Sequence, residues 1–346
     1  MSDNKDNQVY EFLCVDEFLT SFLDTQALKC AFELGLVDTL LQKQPLTLAE
    51  LMPHISKDKS GLELLLDLLI TNKVIADRLD SYSLSESFMV ALHYRDLLEA
   101  KIEFSNLVSS DMINYGSFFI NDLEQFMSKS KIFDLFCYHR CYEITEKNIQ
   151  LTRQWMHFTT VYTRYETRVC MLHHDFGEYR QLMDIGGNSG EFVLQLCKQN
   201  SDLQATVVDL PVVCEIGKEH VSIEPEAKRI TFLERDVLKD PLPSGFDAVI
   251  LKSLLHDWPE EAVKMFIDKA WQCLKPGGTL LIFERGPFPI EKKILNYSML
   301  PIFLFARFFR DPSVYKQQLE EASYVGIHIK SIQMEIPFFL ITAKKE

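Results

Sequence analysis

The run RQLMDIGGNSGEFVLQLCKQ, residues 180–199, decides the fold. A short β-rich segment ends in Asp184 and Ile185, three glycines follow at Gly186, Gly187 and Gly190, and apolar residues then recur at helical spacing. Glycines at a strand-to-helix turn let a ligand approach the backbone, and the helix behind them offers free amide groups. Outward from this run the same grammar repeats: ATVVDL then VCEIGKEH, ITFLERD, FDAVILK then EEAVKMFIDKAWQCL, and TLLIFE. Strands alternating with amphipathic helices predict an α/β domain, a mostly parallel sheet covered on both faces. The last runs, within HIKSIQMEIPFFLITAKK, are joined too tightly for a crossover helix, so they should pair antiparallel at the sheet edge.

Charge and spacing narrow the ligand of the glycine turn. The dinucleotide fingerprint G-x-G-x-x-G, with its last two glycines on Gly187 and Gly190, needs a glycine where Ile185 stands. It would also set a pyrophosphate against the carboxylate of Asp184. A cationic ligand reverses that sign, and S-adenosylmethionine, with an ammonium, a sulfonium and no phosphate, suits an acidic mouth. The second strand ends in Val207-Val208-Asp209, an acid placed to accept from ribose hydroxyls. The third ends in Asp236-Val237, an acid for an adenine amino group and an apolar cover for its ring. In an open α/β sheet the carboxyl ends of the strands form the ligand crevice, and these acids stand at successive ones.

The front of the chain reads differently. From about Asp24 to Leu92 three short helical patterns, LKCAFELGLVDTLL, PLTLAELMPHI and KSGLELLLDLLITNKVI, precede the alternating DRLDSYSLS, which together predict a winged-helix arrangement. Such a fold suggests a ligand-sensing DNA-binding regulator, but its charges disagree. Acids outnumber bases between Thr20 and Val90, and the third helix carries Glu63 and Asp67 where phosphates would need Arg or Lys. A dimerisation module is the better expectation. Residues 94–179 continue as helix, with 152–176 as one long candidate.

The whole chain of 346 residues, enough for about two domains, has a net charge of −14, which argues against nucleic acid or an anionic membrane surface as the main partner. Its eight cysteines show no CxxC pair, as expected of reduced thiols in a cytosol. The polar start predicts no secretory signal, and a cytoplasmic location follows. The most apolar stretch, 294–309, contains Pro301 and Arg307 and is too short to span a bilayer, so it is expected to be a buried or pocket-lining helix. His173-His174 and the pair Cys137 and Cys141 lack a third ligand of fitting spacing, so no metal is expected.

The fourth strand leads into Leu251-Lys252-Ser253-Leu254-Leu255-His256-Asp257-Trp258-Pro259. The ordered set D-x-G-G-x-x-G, V-V-D-L-P, L-H-D-W, then L-K-P-G-G before a strand ending in Glu284, resembles the S-adenosylmethionine-dependent small-molecule O-methyltransferases. That family includes plant caffeate and flavonoid enzymes, the acetylserotonin enzymes and bacterial natural-product enzymes of secondary metabolism. The resemblance implies a Rossmann-like class I methyltransferase sheet over 179–346, a winged-helix homodimerisation domain over 1–100, and a helical linker over 101–178 that lines the acceptor pocket. It implies cofactor contacts from Asp184, Gly186, Gly187, Gly190, Asp209, Leu210, Asp236, Val237, Lys252 and Trp258, with Lys252 at the methionine end. His256 matches the general base, Glu284 the acid that orients it, and Asp257 either assists the base or caps the next helix. Met156, Asn296, Met299 and Phe303 lie on helices that line the acceptor pocket in the family. The expected reaction is methyl transfer, without metal, to a hydroxyl of a small aromatic metabolite, with transfer to carbon or nitrogen as the alternative within the fold. The chain departs from the family at Ala306–Ser313, where many relatives have a Gly-Gly-Arg segment and a second acid; here Asp311 offers itself for that acid, and Phe303, Phe305, Phe308 and Phe309 make an aromatic wall.

Overall fold

The computed structural model describes residues 2–291 and 295–346. The chain divides into two compact units, one comprising Met1–Tyr10, Tyr115–Pro289 and Phe305–Glu346, the other Glu11–Asn114 and Ile290–Leu304.

The second unit holds, among the described residues, a 3-10 helix, Glu11–Phe18, and four α-helices ahead of its hairpin, Phe22–Glu33, Leu36–Gln42, Leu48–Ile55 and Lys59–Thr71. The sequence predicts three, because the first two share one apolar period. Gly35 separates them: it stands at φ 73°, a left-handed conformation that ends one helix and opens the next. Thr47 and Glu50 close a capping box at the third, which fixes where that helix starts. The strands β1 (Leu46–Thr47), β2 (Ile75–Asp77) and β3 (Ser81–Leu84) form a small antiparallel sheet in the order β1-β3-β2. The β2–β3 turn places Leu79 and Asp80 at φ 54° and 60°, the positive pair that a two-residue hairpin needs to match strand twist. Lys101, 1 % exposed, reaches both carboxylate oxygens of Asp16 at 2.8 Å within this unit.

The first unit is the predicted α/β sheet. Its strands are β4 (Gln181–Ile185), β5 (Gln204–Asp209), β6 (Ile230–Glu234), β7 (Phe246–Lys252), β8 (Leu274–Arg285), β9 (Tyr324–Gln333) and β10 (Pro337–Lys345), in the order β6-β5-β4-β7-β8-β10-β9. The first five pair in parallel, while β10 runs antiparallel to both β8 and β9, so the final hairpin forms the antiparallel edge. β7 is buried almost continuously, as expected for a strand with helices over both faces. One face packs Met183, Val249, Leu251 and Ile282 against Val263, Phe266 and Ala270 of the helix Glu260–Cys273. A helix of 28 residues, Glu146–His173, is capped by Thr145, begins six residues ahead of the predicted start, and belongs to the same unit. Its last residues are occupied structurally: His173 shares a 2.7 Å hydrogen bond with Tyr10, and His174 one of 2.9 Å with Tyr179.

The stretch 294–309 begins on residues outside the described ones; from Tyr297 it forms a 3-10 turn, the helix Leu300–Phe305 and a second 3-10 turn. No helix among the described residues is long and apolar enough to cross a membrane.

Candidate active site

Parallel strands of one sheet deliver their last residues to one side, and here that side collects acids. Asp184, the last but one residue of β4, is buried beneath the glycine turn. A Cβ on Gly187 would lie 2.8 Å from the Asp184 carboxylate and 2.9 Å from Val207, so only glycine lets the turn close down on both. Burial pushes the Asp184 carboxyl up to about 7, against a counteracting pull from Lys252. Asp209 ends β5, and its two oxygens accept from the N–H groups of Asn188 at 2.9 Å and Leu210 at 2.8 Å, which ties the second strand end to the glycine turn. Burial raises Asp209 to about 6 in spite of these bonds. Thr160, on the long helix, donates to Ser189 of the turn at 2.7 Å. The turn is therefore fixed from its own sheet and from the helix over it.

Asp236 follows β6. Its carboxylate accepts from the Tyr142 hydroxyl at 2.7 Å and pairs with Lys239 at 2.7 Å. Burial alone would raise it, but these partners hold it below the usual carboxylate value. Val237 beside it is buried in the sheet core.

Lys252 ends β7 and turns to the long helix, where its ammonium pairs with Glu166 and donates to Thr163 Oγ1 at 2.8 Å. Arg285, ending β8, pairs with the same Glu166 and donates to Ser253 Oγ at 3.1 Å. Glu166 is thus a buried anion shared by two cations; they overcome the cost of burial and keep its carboxyl below the normal range. Neither Glu166 nor Arg285 was singled out by sequence reasoning. The only signal was that Arg285 follows Glu284 directly, and a partner more than a hundred residues away leaves no local pattern.

Past Lys252 the chain bends through Ser253 at φ 48° into the 3-10 turn Leu255–Asp257. This turn aims His256 at the end of β8. Its Nδ1 lies 2.7 Å from Glu284 Oε2, and Glu284 Oε1 accepts from the N–H groups of Leu254 and Leu255, each at 2.7 Å. Glu284 is fully buried, so its carboxylate is fixed by three bonds and the imidazole by one of them. Asp257 stands on the other side, with Oδ1 3.5 Å from His256 Nε2. Burial opposes charge on the imidazole, but Asp257 and Glu284 outweigh it and raise the pKa of His256 above the usual value. The ring also meets Phe309 edge-on at 5.4 Å.

Asp257 does not cap the following helix, whose N-cap is Pro259; its Oδ2 accepts from the Tyr138 hydroxyl at 2.6 Å. Trp258 packs, stacking on Tyr138 at 6.2 Å and tilting against Phe266. Asp311, the candidate for a second acid, is the N-cap of the helix Pro312–Glu321 and accepts from Ser313. Its neighbour Arg310 donates instead to the carbonyls of Leu255 and Trp258, bracing the turn that carries His256. Of the phenylalanines expected to form an aromatic wall, Phe305 meets Phe133 and Phe136, and Phe308 meets Phe133; Phe136 also meets Trp155, and Trp155 meets Tyr138. Met156 is buried on the long helix of this unit, whereas Asn296, Met299 and Phe303 belong to the other unit, Met299 donating its N–H to the Asn296 carbonyl.

Comparison with known proteins gives this arrangement a family. A model of the O-methyltransferase domain matches residues 121–307, and one of the O-methyltransferase dimerisation domain matches residues 16–88. The chain is 41% identical over 131 residues to 3-hydroxy-5-methyl-1-naphthoate 3-O-methyltransferase of Streptomyces sahachiroi, a match covering 36% of this chain and 38% of that one. It is 27% identical over 276 residues to a probable bifunctional dTTP/UTP pyrophosphatase/methyltransferase protein of Homo sapiens, covering 78% of this chain and 43% of the other. The chain thus spans about two fifths of the length of these two relatives. Human N-acetylserotonin methyltransferase, solved in complex with S-adenosylmethionine, superposes over 93% of both chains with a TM-score of 0.70 and 22% identity, a shared fold. With more than half of its length matched by the family's domain, and the family's dimerisation domain ahead of it, the chain belongs to the O-methyltransferase family.

Proposed function

We propose that this protein transfers the methyl group of S-adenosylmethionine to a hydroxyl of a small aromatic metabolite, as a homodimer, with His256 as general base. The observation that carries this reading is the His256–Glu284 pair, buried at the ends of adjacent strands beside an acidic glycine turn. The cofactor supplies an electrophilic methyl group on a sulfonium. The residues present fit it: the buried Asp184 and the partly buried Asp209 are carboxyls whose raised pKa values call for a cation, and the glycine turn has no room for a Cβ. Asp209, with Leu210 and Asn188 fixing its orientation, is assigned to the ribose, Asp236 and Val237 to the adenine, and Lys252 to the methionine end.

Glu284 determines the chemistry of the base. A carboxylate at Nδ1 takes the ring proton on that side and leaves the Nε2 lone pair for a substrate hydroxyl. A phenol titrates near ~10, so at neutral pH it needs that base before its oxygen attacks. The linked aromatic side chains from Tyr138 through Trp155 to Phe305 support a flat acceptor, in keeping with the naphthoate and acetylserotonin named for the relatives.

Incubation with methyl-labelled S-adenosylmethionine and a panel of phenols, hydroxynaphthoates and hydroxyindoles, read by mass, should give an O-methylated product. His256→Ala should abolish it while calorimetry still detects cofactor binding. Retained turnover in that variant would remove His256 from the mechanism, and NAD binding in place of S-adenosylmethionine would remove the reading itself.

A further inference from the structure

The assignment of His256 as base leaves the Tyr138–Asp257 pair without a role. The sequence separates these residues by 119 positions, yet the hydroxyl sits 2.6 Å from Asp257 Oδ2, and the other carboxylate oxygen faces His256 Nε2 at 3.5 Å. That second separation is outside hydrogen-bonding range, where an N–H to a carboxylate normally lies at about 2.7–2.9 Å. A charge-assisted bond is therefore within a small rotation of forming and has not formed.

We propose that Tyr138 is a positioning residue for proton transfer: its hydroxyl holds Asp257 back from His256, which keeps the Nε2 edge open to the substrate hydroxyl. This rests on the reading of His256 as base. An imidazole nitrogen offers one lone pair, so a carboxylate closed onto Nε2 would fix a proton there and leave nothing to accept the substrate's. With Oδ2 bound by the phenol, Asp257 stays close enough to stabilise the imidazolium after transfer. The substrate O–H bond then breaks, its proton takes the Nε2 lone pair, its electron pair stays on the oxygen that receives the methyl, and the new Nε2–H faces Oδ1.

Tyr138 is built to keep that place. Its ring stacks on Trp258 with planes 16° apart and meets Trp155 edge-on at 6.0 Å. Burial first, and the charge of Asp257 second, keep its hydroxyl protonated well beyond the normal phenol range, so it remains a donor. The charged groups acting on His256 are Asp257 and Glu284, which favour its protonated form, and Arg285, which opposes it. Phe309 faces the ring without charge, and Arg310 spends its donors on the carbonyls of Leu255 and Trp258. Tyr315 feels Glu284 and Asp257 but is raised beyond titration in the working range, mainly by burial. Of these groups, Asp257 is the one with an oxygen at 3.5 Å from Nε2.

The test needs no known acceptor. In protein carrying 15N-histidine, the imidazole signal absent from His256→Ala identifies His256, and its titration is followed by NMR in wild type, Tyr138→Phe, Asp257→Asn and the double variant. Tyr138→Phe should titrate about one pH unit higher than wild type, a tenfold loss of neutral imidazole below the transition. Asp257→Asn, alone or with Tyr138→Phe, should titrate at or below the wild-type value. With an acceptor available, the acid limb of the kcat/KM profile should move with the same sign, and the high-pH plateau should recover. A Tyr138→Phe midpoint equal to or below wild type, or a double variant that keeps the upward shift, overturns the proposal. If instead His256→Ala retains turnover, the base reading fails and this inference fails with it, a result separable from an unmoved titration in an enzyme that His256→Ala inactivates.

Discussion

Replacing Glu284 by Gln isolates the orientation of the base from every other property of the site. The two side chains have nearly the same volume, but the amide has one acceptor where the carboxylate has two. In the wild type Oε1 satisfies the Leu254 and Leu255 N–H groups and Oε2 holds His256 Nδ1. If the amide oxygen turned to His256, its NH2 would confront two buried N–H donors, at a cost of about 1–3 kcal/mol for each one left unsatisfied. The oxygen should therefore stay with the backbone and the NH2 should face Nδ1. A donor at Nδ1 forces the ring proton to Nε2, and the lone pair needed for the substrate is gone. A carboxylate-to-amide change that imposes the wrong histidine tautomer lowers kcat by about 10⁴ in a serine-protease triad. We expect a loss of ~10³–10⁴, about 4–5.5 kcal/mol of barrier. The assay is initial rate with methyl-labelled S-adenosylmethionine and a phenolic acceptor between pH 6 and 10. The deficit should shrink as the pH nears the phenol's own pKa, because an acceptor that ionises in solution no longer needs a base. A Gln variant within tenfold of wild type at pH 7, or a deficit constant across the range, would refute the reasoning. Thermal stability should change little, because the two backbone bonds survive.

Two further outcomes follow from the acids under the glycine turn. Asp184 at about 7 and Asp209 at about 6 have folded-state values above those of the unfolded chain, so each destabilises the free protein as pH rises from about 4 toward its folded value. A cationic cofactor reverses this, so the rise in melting temperature given by S-adenosylmethionine should be larger at pH 8 than at pH 5.5; a pH-independent rise in thermal-shift assays contradicts the charge assignment. Gly187→Ala should cost about 1–3 kcal/mol in urea unfolding and weaken cofactor binding by calorimetry, because its Cβ would press on Asp184 and Val207 at under 3 Å; wild-type affinity would show that the turn relaxes freely.

Much of this protein is legible in its sequence because parallel sheets write themselves locally. Each strand of residues 180–284 is a short apolar run, an acid stands at or next to the end of every one but β7, which ends in Lys252, and the strand order brings those ends together. The final hairpin was legible from the shortness of its turn. Failures began where one residue overrides a period or where partners are distant. Gly35 divides what the apolar spacing joins, and Asp311 reads as a catalytic acid until the helix it caps is seen. Glu166, Tyr138 and Tyr142 lie among ordinary helical and turn residues, and their roles come from what the fold brings to them. Asp257 allows two readings in the sequence, a helix cap or a neighbour of His256, and the fold shows the second, while Trp258 stacks on Tyr138.

The position of β10 has a consequence for how the site comes into being. β10 is the latest strand in the chain, yet it lies between β8 and β9, and its Phe339 pairs directly with Glu284 while covering Gly286 so closely that a Cβ there would be 2.1 Å from the ring. Until Pro337–Lys345 has been synthesised, β8 has an open edge and Glu284 has a strand neighbour on one side only. A nascent chain arrested before residue 337 should therefore fold its glycine turn and first strands while leaving His256 without a fixed tautomer, so that cofactor recognition matures on the ribosome before catalytic competence does.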